Sequence, residues 1–285
     1  SIYATPATVH LLGVMLPDSA HIQESDAKRV AKRLKEKTVP PPLYTLQDAH
    51  ECLQQVRGIE YDREFAPRVG VRARFRDAGH ILGSAIVEVW ITEYGYPTKI
   101  VFSGDLGQPG RPILRDPTPI EEADILVIES TYGDRRHKDF SATEADMIGI
   151  VEKTLFERGG NVIVPAFAVG RTQEVLYHLH RLTSEGRVFV DSPMATEATR
   201  ITREHLELFD EQAKRLAGWH ARGENLPYLH FTESAEESMA LNQIRSGAII
   251  ISASGMCDAG RIRHHLRHNL PRKECSVLFS GFQAQ

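Results

Sequence analysis

The sequence has few cysteines, no long apolar run and no strong excess of charge, and each of these shortages excludes a class of protein. Its three cysteines, Cys52, Cys257 and Cys275, are far apart and none belongs to a CxxC pair, so neither a disulfide framework nor a cysteine zinc site is expected. No apolar run approaches the roughly 20 residues that a membrane helix needs, and no export signal is evident. These shortages favour a cytoplasmic protein with reduced thiols and no membrane partner.

The charge balance leaves the question of nucleic acid open. The formal net charge is -4 and the isoelectric point is near 6.4, so a nucleic acid would have to be bound by a local basic patch. The 285 residues are enough for one large domain or two moderate ones. The first residue is Ser1 and an amphipathic pattern follows at once, from which we expect that the chain continues a longer one.

The first part of the chain changes from a helical pattern to a strand pattern. Residues 5–36 are predicted to form two helical stretches with a break at Pro17-Asp18. A short helix is predicted from Thr45 to Val56, capped by Thr45 with Asp48 three residues on. From Val69 to Ser103 polar and apolar residues alternate between glycines and aspartates, which predicts successive strands.

The rest of the chain alternates short apolar strands with helices. This rhythm predicts parallel strands that are covered on both faces, with a domain boundary between residues 129 and 141. The predicted strands are ADILVIES, NVIVPAF, RVFVDSP, AIIISAS and CSVLFSGF, and the predicted helices cover residues 144–158, 170–184, 195–223 and 260–268.

Two short motifs have the chemistry of metal ligands. His80 stands at a predicted strand end in DAGHILGSA, and histidine is the commonest metal ligand, although a lone histidine is more often structural. Asp105 ends a predicted strand in SGDLG, where an aspartate between glycines is usually a turn former. The two motifs are 25 residues apart on predicted neighbouring strands, so the imidazole and the carboxylate are expected to converge at one sheet edge.

Two further segments are candidates for binding an anion. Arg171 opens a helix just after a strand, where its guanidinium and the helix N-terminus would both face a phosphate; the alternative is a solvated arginine. The loop from Ser252 to Gly260 is rich in small residues and leads into a basic helix, so its N–H groups are suited to an anion. Ser254, Gly255 and Arg261 are the candidates there, and the absence of a GK[ST] ending excludes a nucleotide P-loop.

Several other histidines and basic residues are expected to be structural or solvated. His178 and His180 have HxH spacing, but on a helix residues two apart do not share a face. His264 and His268 are four apart on the basic helix, with no carboxylate partner evident nearby, and are expected at the surface or in packing. The basic run from Lys28 to Lys37 is expected to be a solvated helix face.

Taken together, the motifs resemble a known family. GHILGSA and FSGDLG resemble the third and fourth metal motifs of the metallo-β-lactamase superfamily. Six further segments resemble the β-CASP branch of that superfamily, which processes RNA. They are DSAHIQE, IESTYGDR, PAFAVGRTQE, VDSPMA, ISASGMCDAGRI and FSGFQAQ. The resemblance covers nearly the whole chain and implies an α/β fold. Residues 1–134 would form part of an αββα metallo-β-lactamase domain, and residues 135–285 an inserted β-CASP domain on a mostly parallel sheet.

The resemblance also implies roles for individual residues. His80 would be a terminal zinc ligand, and Asp105 would be a catalytic ligand that bridges two zinc ions. Glu129 matches the first acidic motif of the branch, a catalytic position that orients a histidine near the scissile phosphate. In a complete active site, a hydroxide that bridges two zinc ions would attack the phosphorus of an RNA phosphodiester bond in line, and the zinc ions would neutralise the charge that develops. The RNA is expected to be single-stranded.

Part of the family pattern is absent from these residues. The HxHxDH motif, expected before YATPAT, and two histidine motifs, expected after FSGFQAQ, do not occur. Because a zinc ion takes about four ligands, the sequence predicts a ribonuclease whose complete form is longer, with this piece inactive alone. A non-catalytic RNA-binding module and a metallohydrolase of small molecules, such as thioesters or lactams, are the alternatives. The sequence leaves open endonuclease or exonuclease action, RNA or DNA, and monomer or homodimer.

Overall fold

The fold is known from a computed structural model that describes residues 1–34, 40–135, 140–179, 187–220 and 228–281. It consists of two compact units. The first comprises Ser1–Gly107 with Pro117–Glu129, and the second comprises Gln108–Asp116 with Ser130–Gln285. Both units combine helices with sheets, so the α/β class is confirmed, whereas the domain boundary at residue 134 stays a prediction.

The first unit begins with strand β1 (Ile2–Ala4) and one long helix, α1 (Pro6–Leu34). The predicted break at Pro17-Asp18 is wrong, because Pro17 lies inside α1. A proline inside a helix lacks the N–H donor and crowds the carbonyl group four residues earlier. That residue is Gly13, and α1 continues through both positions. Lys28 to Arg33 are exposed except at Ala31, and Lys35 to Lys37 lie outside the described residues.

The short helix α2 (Leu46–Gln54) confirms the cap that the sequence predicts. The Thr45 hydroxyl accepts a hydrogen bond from the Asp48 N–H at 3.2 Å, and the Thr45 N–H donates to the Asp48 carboxylate at 2.8 Å. This reciprocal pair satisfies N–H groups that the helix itself leaves without partners. After α2 the chain enters β2 (Val56–Gly58), which pairs in parallel with β1.

The main sheet of the first unit has the order β3-β4-β5-β6-β7. Its pairs are antiparallel except β6 with β7, which is parallel. The sequence predicted the last four strands, whereas β1, β2 and β3 are too short or too irregular to show alternation. The strands are β3 (Glu64–Arg68), β4 (Val71–Asp77), β5 (Ala85–Glu93), β6 (Tyr96–Phe102) and β7 (Ile125–Val127).

A buried carboxylate ties three strands of this sheet together. Glu88 on β5 is 1% exposed and bonds at 2.7 Å both to Arg74 Nε on β4 and to Lys99 Nζ on β6. Burial alone would raise the pKa of Glu88, but the hydrogen bonds from the two cations hold that pKa below its ordinary value. The ring of Trp90 lies against the same cations, so this face is ordered by charge pairing.

We predict that Glu88→Gln lowers the free energy of unfolding by about 3 kcal/mol, because removal of one partner leaves buried charge uncompensated. The folded-state pKa is depressed, so this stabilisation is present above the unfolded carboxyl's pKa and is lost as pH falls through the folded value. The difference in free energy of unfolding between the native chain and Glu88→Gln should therefore become smaller at acidic pH. Urea unfolding at several pH values measures it. Glu64→Gln, which removes the exposed partner of Arg72, is the control and should cost much less.

The second unit is built on one parallel sheet with the order β10-β9-β11-β8-β12. All four pairings are parallel, which confirms the mostly parallel sheet. Strands β8 and β11 are buried along their whole length, as their continuous apolar sequences predict. The strands are β8 (Val162–Pro165), β9 (Arg187–Val190), β10 (Leu229–Phe231), β11 (Ala248–Ser252) and β12 (Ser276–Val277).

Helices surround this sheet and include one that the sequence did not predict, α7, together with the strand β10 before it. The predicted helix ends at residues 184 and 223, as well as His180, lie outside the part that the structure describes. Within that part, no helix is both long and apolar enough for a bilayer crossing. The helices are α3 (Phe140–Glu152), which continues into a π-helical turn (Lys153–Glu157), α4 (Arg171–Leu179), α5 (Pro193–Glu204), α6 (Glu211–His220), α7 (Ala235–Leu241) and α8 (Ile262–Asn269).

The parallel arrangement decides where the polar residues of the second unit meet. The strands β8, β9 and β11 point the same way, so the segments that follow them lie at one edge of the sheet. Ligands of open parallel sheets bind at this carboxyl edge. The residues that follow the three strands include Arg171, Asp191 and Ser254.

Candidate functional site

His80 lies in a tight loop between β4 and β5. The sequence predicted His80 at a strand end, but β4 stops at Asp77. The Asp77 carboxylate accepts a hydrogen bond from the Gly79 N–H at 2.9 Å, and this bond turns the chain. The Ser84 hydroxyl then accepts from the N–H groups of His80 and Ile81 at 3.1 and 3.2 Å. The loop is thus fixed by its own backbone donors, and His80 is exposed.

The start of α1 anchors the far end of this loop. The hydroxyls of Thr5 and Thr8 both donate to the carbonyl oxygen of Gly83, at 2.8 and 2.9 Å. Gly83 has a φ of +82°, and a Cβ there would lie 2.6 Å from the Thr8 hydroxyl, so glycine is needed on both counts. The two threonines were not among the predicted site residues; their three-residue spacing at a helix start was the available signal.

Asp105 lies in the loop that follows β6. This strand ends at Phe102, so Asp105 too is in a loop and not at a strand end, and it is exposed. Glu129, just after β7, fixes the loop: its carboxylate accepts from the Leu106 N–H at 3.0 Å, and its own N–H donates to the Ser103 hydroxyl at 3.1 Å. The structure thus gives Glu129 a contact with the loop of Asp105, and its role toward a histidine stays a prediction.

The two loops touch, although the strands that lead into them are not neighbours. β5 separates β4 from β6, contrary to the expectation of neighbouring strands. The Gly107 N–H nevertheless donates to the Ala78 carbonyl oxygen at 2.8 Å. A Cβ on Gly107 would stand 1.8 Å from the carbonyl oxygen of Gly79. The backbone segments next to His80 and Asp105 are therefore in direct contact, and only glycine permits this approach.

The described residues do not complete a metal centre around these loops. Among them there is no group of three or more histidine, cysteine, aspartate or glutamate side chains that could hold a metal ion. The two candidate donors, an imidazole nitrogen and a carboxylate oxygen, are of types that zinc accepts. Their number is smaller than the set of about four that zinc takes.

We predict that Gly107→Ala destabilises the first unit by about 2 kcal/mol, because the added methyl group forces the two loops apart. Gly13→Ala is the matched control in the same unit, since no atom lies within 4 Å of its Cβ position. That substitution should be neutral or stabilising, as alanine is favoured over glycine within helices. Thermal unfolding of both variants tests this, and equal stability of the two would contradict the close loop contact.

The carboxyl edge of the second unit contains a fully buried aspartate at the end of β9. Asp191 is 0% exposed and one of its oxygens accepts from Arg261 Nη1 at 2.7 Å and from the Thr232 hydroxyl. The other oxygen bonds to the Ser238 hydroxyl at 2.6 Å and to His265 Nε2 at 2.5 Å. Burial alone would raise the pKa of Asp191, but these four hydrogen bonds, that of His265 first, lower it far below its usual value.

The second important residue of this network, His265, was overlooked in the sequence. It is 0% exposed, and its Nδ1 lies 3.1 Å from the Asn242 side-chain oxygen. The histidines on either side that the sequence singled out, His264 and His268, are exposed, as expected. The available signal was the three- and four-residue spacing of Ile262, His265 and Asn269, which places them on one face of a helix. That face of α8 is buried.

The loop after β11 has the geometry of an anion site, but a carboxylate of the chain itself occupies it. The Ser254 hydroxyl bonds to Asp258, whose pKa is lowered first by this hydrogen bond and then by backbone N–H groups of the loop. The Ser254 N–H donates to Ala259 O at 3.2 Å. The predicted RNA contacts of Ser254, Gly255 and Arg261 stay predictions, and the structure already engages Arg261 with Asp191.

Arg171 opens α4, as predicted, but the helix N-terminus beside it has few N–H groups to offer. The N–H groups of Arg171 and Thr172 donate to the carbonyl oxygens of Val169 and Phe167 at 3.1 and 3.2 Å. A phosphate here would therefore meet the guanidinium and not the helix end. Arg171 Nη1 lies 2.5 Å from Glu174, which also pairs with Arg111 at 3.4 Å, so two guanidinium groups share one carboxylate and leave a net positive charge.

His178 has the environment of a structural residue. It is buried within α4, and its Nδ1 lies 3.1 Å from a carboxylate oxygen of Glu144 on α3. The HxH spacing of His178 and His180 therefore does not extend the list of metal ligands in the part of the chain that the structure describes.

We predict that Asp191→Asn destabilises the second unit by about 3–5 kcal/mol, because the amide cannot accept from all four donors and leaves the charge of Arg261 unpaired. The depressed pKa means that the stabilisation by Asp191 is present above the unfolded carboxyl's pKa and fails only as pH falls through the folded value. Asp258→Asn, in an exposed carboxylate of the neighbouring loop, should have a much smaller effect. Urea unfolding at neutral pH compares the two.

Known proteins resemble this chain along its whole length. Residues 172–285 match the Beta-Casp domain family. The chain is 34% identical to Ribonuclease TTHA0252 of Thermus thermophilus over 292 aligned positions, covering 100% of this chain and 62% of the relative. It is 30% identical to the Transcription termination factor FttA of Pyrococcus abyssi, in an alignment that covers 100% of this chain and 43% of that protein. An RNase J-like protein of Methanocaldococcus jannaschii is 29% identical, in an alignment that covers 85% of this chain and 56% of that protein. The chain thus spans about half the length of these relatives.

Proposed function

Because the chain belongs to the β-CASP branch of the metallo-β-lactamase superfamily, we propose that it is the part of a metal-dependent RNA hydrolase that supplies one side of the metal site. The observation that supports this most is the contact between the loops of His80 and Asp105, sealed by the close approach of Gly107 to Gly79. His80 and Asp105, two exposed side chains of types that zinc accepts, therefore lie on loops whose backbones are in direct contact.

Zinc is proposed as the metal, within limits that the donor set imposes. The imidazole of His80 and the carboxylate of Asp105 match zinc in chemical type, but two donors do not hold two zinc ions. We propose that the other ligands belong to residues outside the 285, since the relatives are longer. We therefore assign no step of the reaction to the metal from the residues described.

The substrate is proposed to be single-stranded RNA. The names of the relatives, a ribonuclease and a transcription termination factor, concern RNA. The carboxyl edge of the second unit adds a physical reason, since Arg111 and Arg171 exceed the charge of the Glu174 between them. Guanidinium groups bind phosphate through charge-assisted hydrogen bonds. We propose that Arg171 contacts the RNA backbone. Contacts of RNA with Ser254, Gly255 and Arg261 remain proposals from the sequence, since Asp258 bonds to Ser254 and Asp191 bonds to Arg261.

A non-catalytic RNA-binding module is the second candidate for these 285 residues taken alone. It is favoured by the small number of metal donors among the described residues. The proposals of a cytoplasmic location and of either a monomer or a homodimer rest on the sequence alone.

We predict that Asp105→Ala in the full-length gene product reduces cleavage of single-stranded RNA by at least about 100-fold, because loss of a metal-bridging ligand removes the charge stabilisation of the transition state. Glu122→Ala, which removes an exposed carboxylate of the same unit, should leave cleavage unchanged. The measurements are RNA cleavage and zinc content by mass spectrometry. Unchanged cleavage in Asp105→Ala would contradict the proposal, and two tightly bound zinc ions in the isolated 285-residue chain would contradict the incomplete site.

A further inference from the structure

Phe167 is an exposed aromatic residue at the carboxyl edge of the parallel sheet. It follows β8 directly and is 47% exposed, whereas its neighbours Ala166 and Ala168 are 1% and 7% exposed. A single exposed apolar side chain is ordinary on a protein surface. Two further observations set Phe167 apart: its backbone is fixed, and its ring is supported from one side.

The backbone of Phe167 is fixed by the first turn of α4. Its carbonyl oxygen accepts from the Thr172 N–H at 3.2 Å and from the Thr172 hydroxyl at 2.8 Å. The threonine side chain is itself buried. The position of the Cα of Phe167 is therefore determined by the helix, and its ring is presented on a rigid element.

Gly255, in the loop after β11, supports the ring. A Cβ on Gly255 would stand 3.0 Å from ring atom Cδ2 and 3.1 Å from Cε2 of Phe167. Gly255 is buried, so the ring rests on backbone on one side while nearly half of the residue is open to solvent. The small-residue loop that the sequence singled out thus serves as the floor of an aromatic surface, which explains the need for glycine there.

Positive charge lies at the same edge. Arg171 begins the helix that the Phe167 carbonyl oxygen caps, and it shares Glu174 with Arg111. Arg261, in the loop segment that leads to α8, keeps a quarter of its side chain exposed while bonded to Asp191. An exposed ring at the same sheet edge as guanidinium groups is a combination with which proteins bind single-stranded nucleic acid, the ring stacking on a base and the cations attracting phosphates.

We propose that Phe167 is a stacking platform for one nucleobase of the bound strand, with Gly255 as its support. This inference rests on the proposed function, because it takes single-stranded RNA as the ligand. Stacking needs only the flat face that every base presents, so the platform would favour unpaired bases without selecting a sequence.

The test measures binding of the 285-residue chain to labelled single-stranded oligoadenylate by fluorescence anisotropy. Phe167→Ala should weaken binding about tenfold, the typical effect of removing one aromatic stacking partner. Phe167→Leu keeps most of the apolar area but has no aromatic face, so it should weaken binding similarly. Phe167→Trp should bind as tightly as the native chain or more tightly, and its fluorescence should be quenched by RNA.

The matched control is Phe156→Ala. Phe156 is 57% exposed, but it lies in the π-helical turn Lys153–Glu157 that precedes β8, and its removal should leave binding unchanged. An oligonucleotide of the same length with abasic residues provides the second control, since Phe167→Ala should bind it as the native chain does. Circular dichroism checks that each variant is folded.

The outcomes separate the two proposals. If the native chain binds oligoadenylate and Phe167→Leu or Phe167→Ala binds equally well, the stacking platform is wrong and RNA binding stands. An equal loss on the abasic strand would likewise contradict stacking, because no base is then involved. If the native chain binds no single-stranded RNA, the proposed function of this edge is itself contradicted, and the platform with it.

Discussion

The contact of Gly107 with the Gly79 backbone is the constraint on which the candidate metal site depends. The loops after β4 and β6 are separated by β5 within the sheet, so pairing between strands does not bring them together. They meet because two glycines allow main chain to pack on main chain and because the Gly107 N–H finds the Ala78 carbonyl oxygen at 2.8 Å. Ser84, Thr5 and Glu129 then fix each loop from its other side.

The second unit uses a different solution at its own edge. There a buried charge organises the loops, because Asp191 at the end of β9 accepts from groups that follow two other strands. These groups are Thr232 and Ser238 after β10, and Arg261 and His265 after β11. A buried carboxylate is tolerated only when its lone pairs are used, and here all partners are supplied. The network fixes Arg261, at the end of the small-residue loop, to the residue that ends β9.

Much of this could be predicted from local sequence. The alternation in β4 to β6, the apolar runs of β8, β9 and β11, and the Thr45 cap are short-range signals, and each was confirmed. The errors have physical causes. Pro17 predicts a helix break because proline lacks the N–H donor, but α1 continues through it. Strand β3 pairs with β4 through a register shift that breaks the alternation, and β10 forms by pairing with β9, which is distant in sequence.

Site residues were harder to predict than the fold. His80 and Asp105 were found because they stand in glycine-rich loops, but their placement in loops rather than at strand ends depends on side-chain bonds such as that of Asp77. His265 was passed over for His264 and His268, since only the position of α8 against the sheet shows which histidine is buried. The Ser254 loop was predicted to bind an anion, but in the structure its Ser254 hydroxyl bonds to the carboxylate of Asp258. The bonds of Asp77 and Asp258 are local, whereas His265 is buried against Asp191 and Asn242, which are distant in sequence.

The central claim is that His80 belongs to a zinc site, and X-ray absorption at the zinc edge tests it most directly. In the zinc-loaded full-length gene product, His80→Cys should introduce a sulfur neighbour at about 2.3 Å from zinc. His50→Cys, at an exposed histidine of α2, should introduce none. A zinc spectrum of His80→Cys without sulfur scattering, identical to that of the His50→Cys control, would contradict the account.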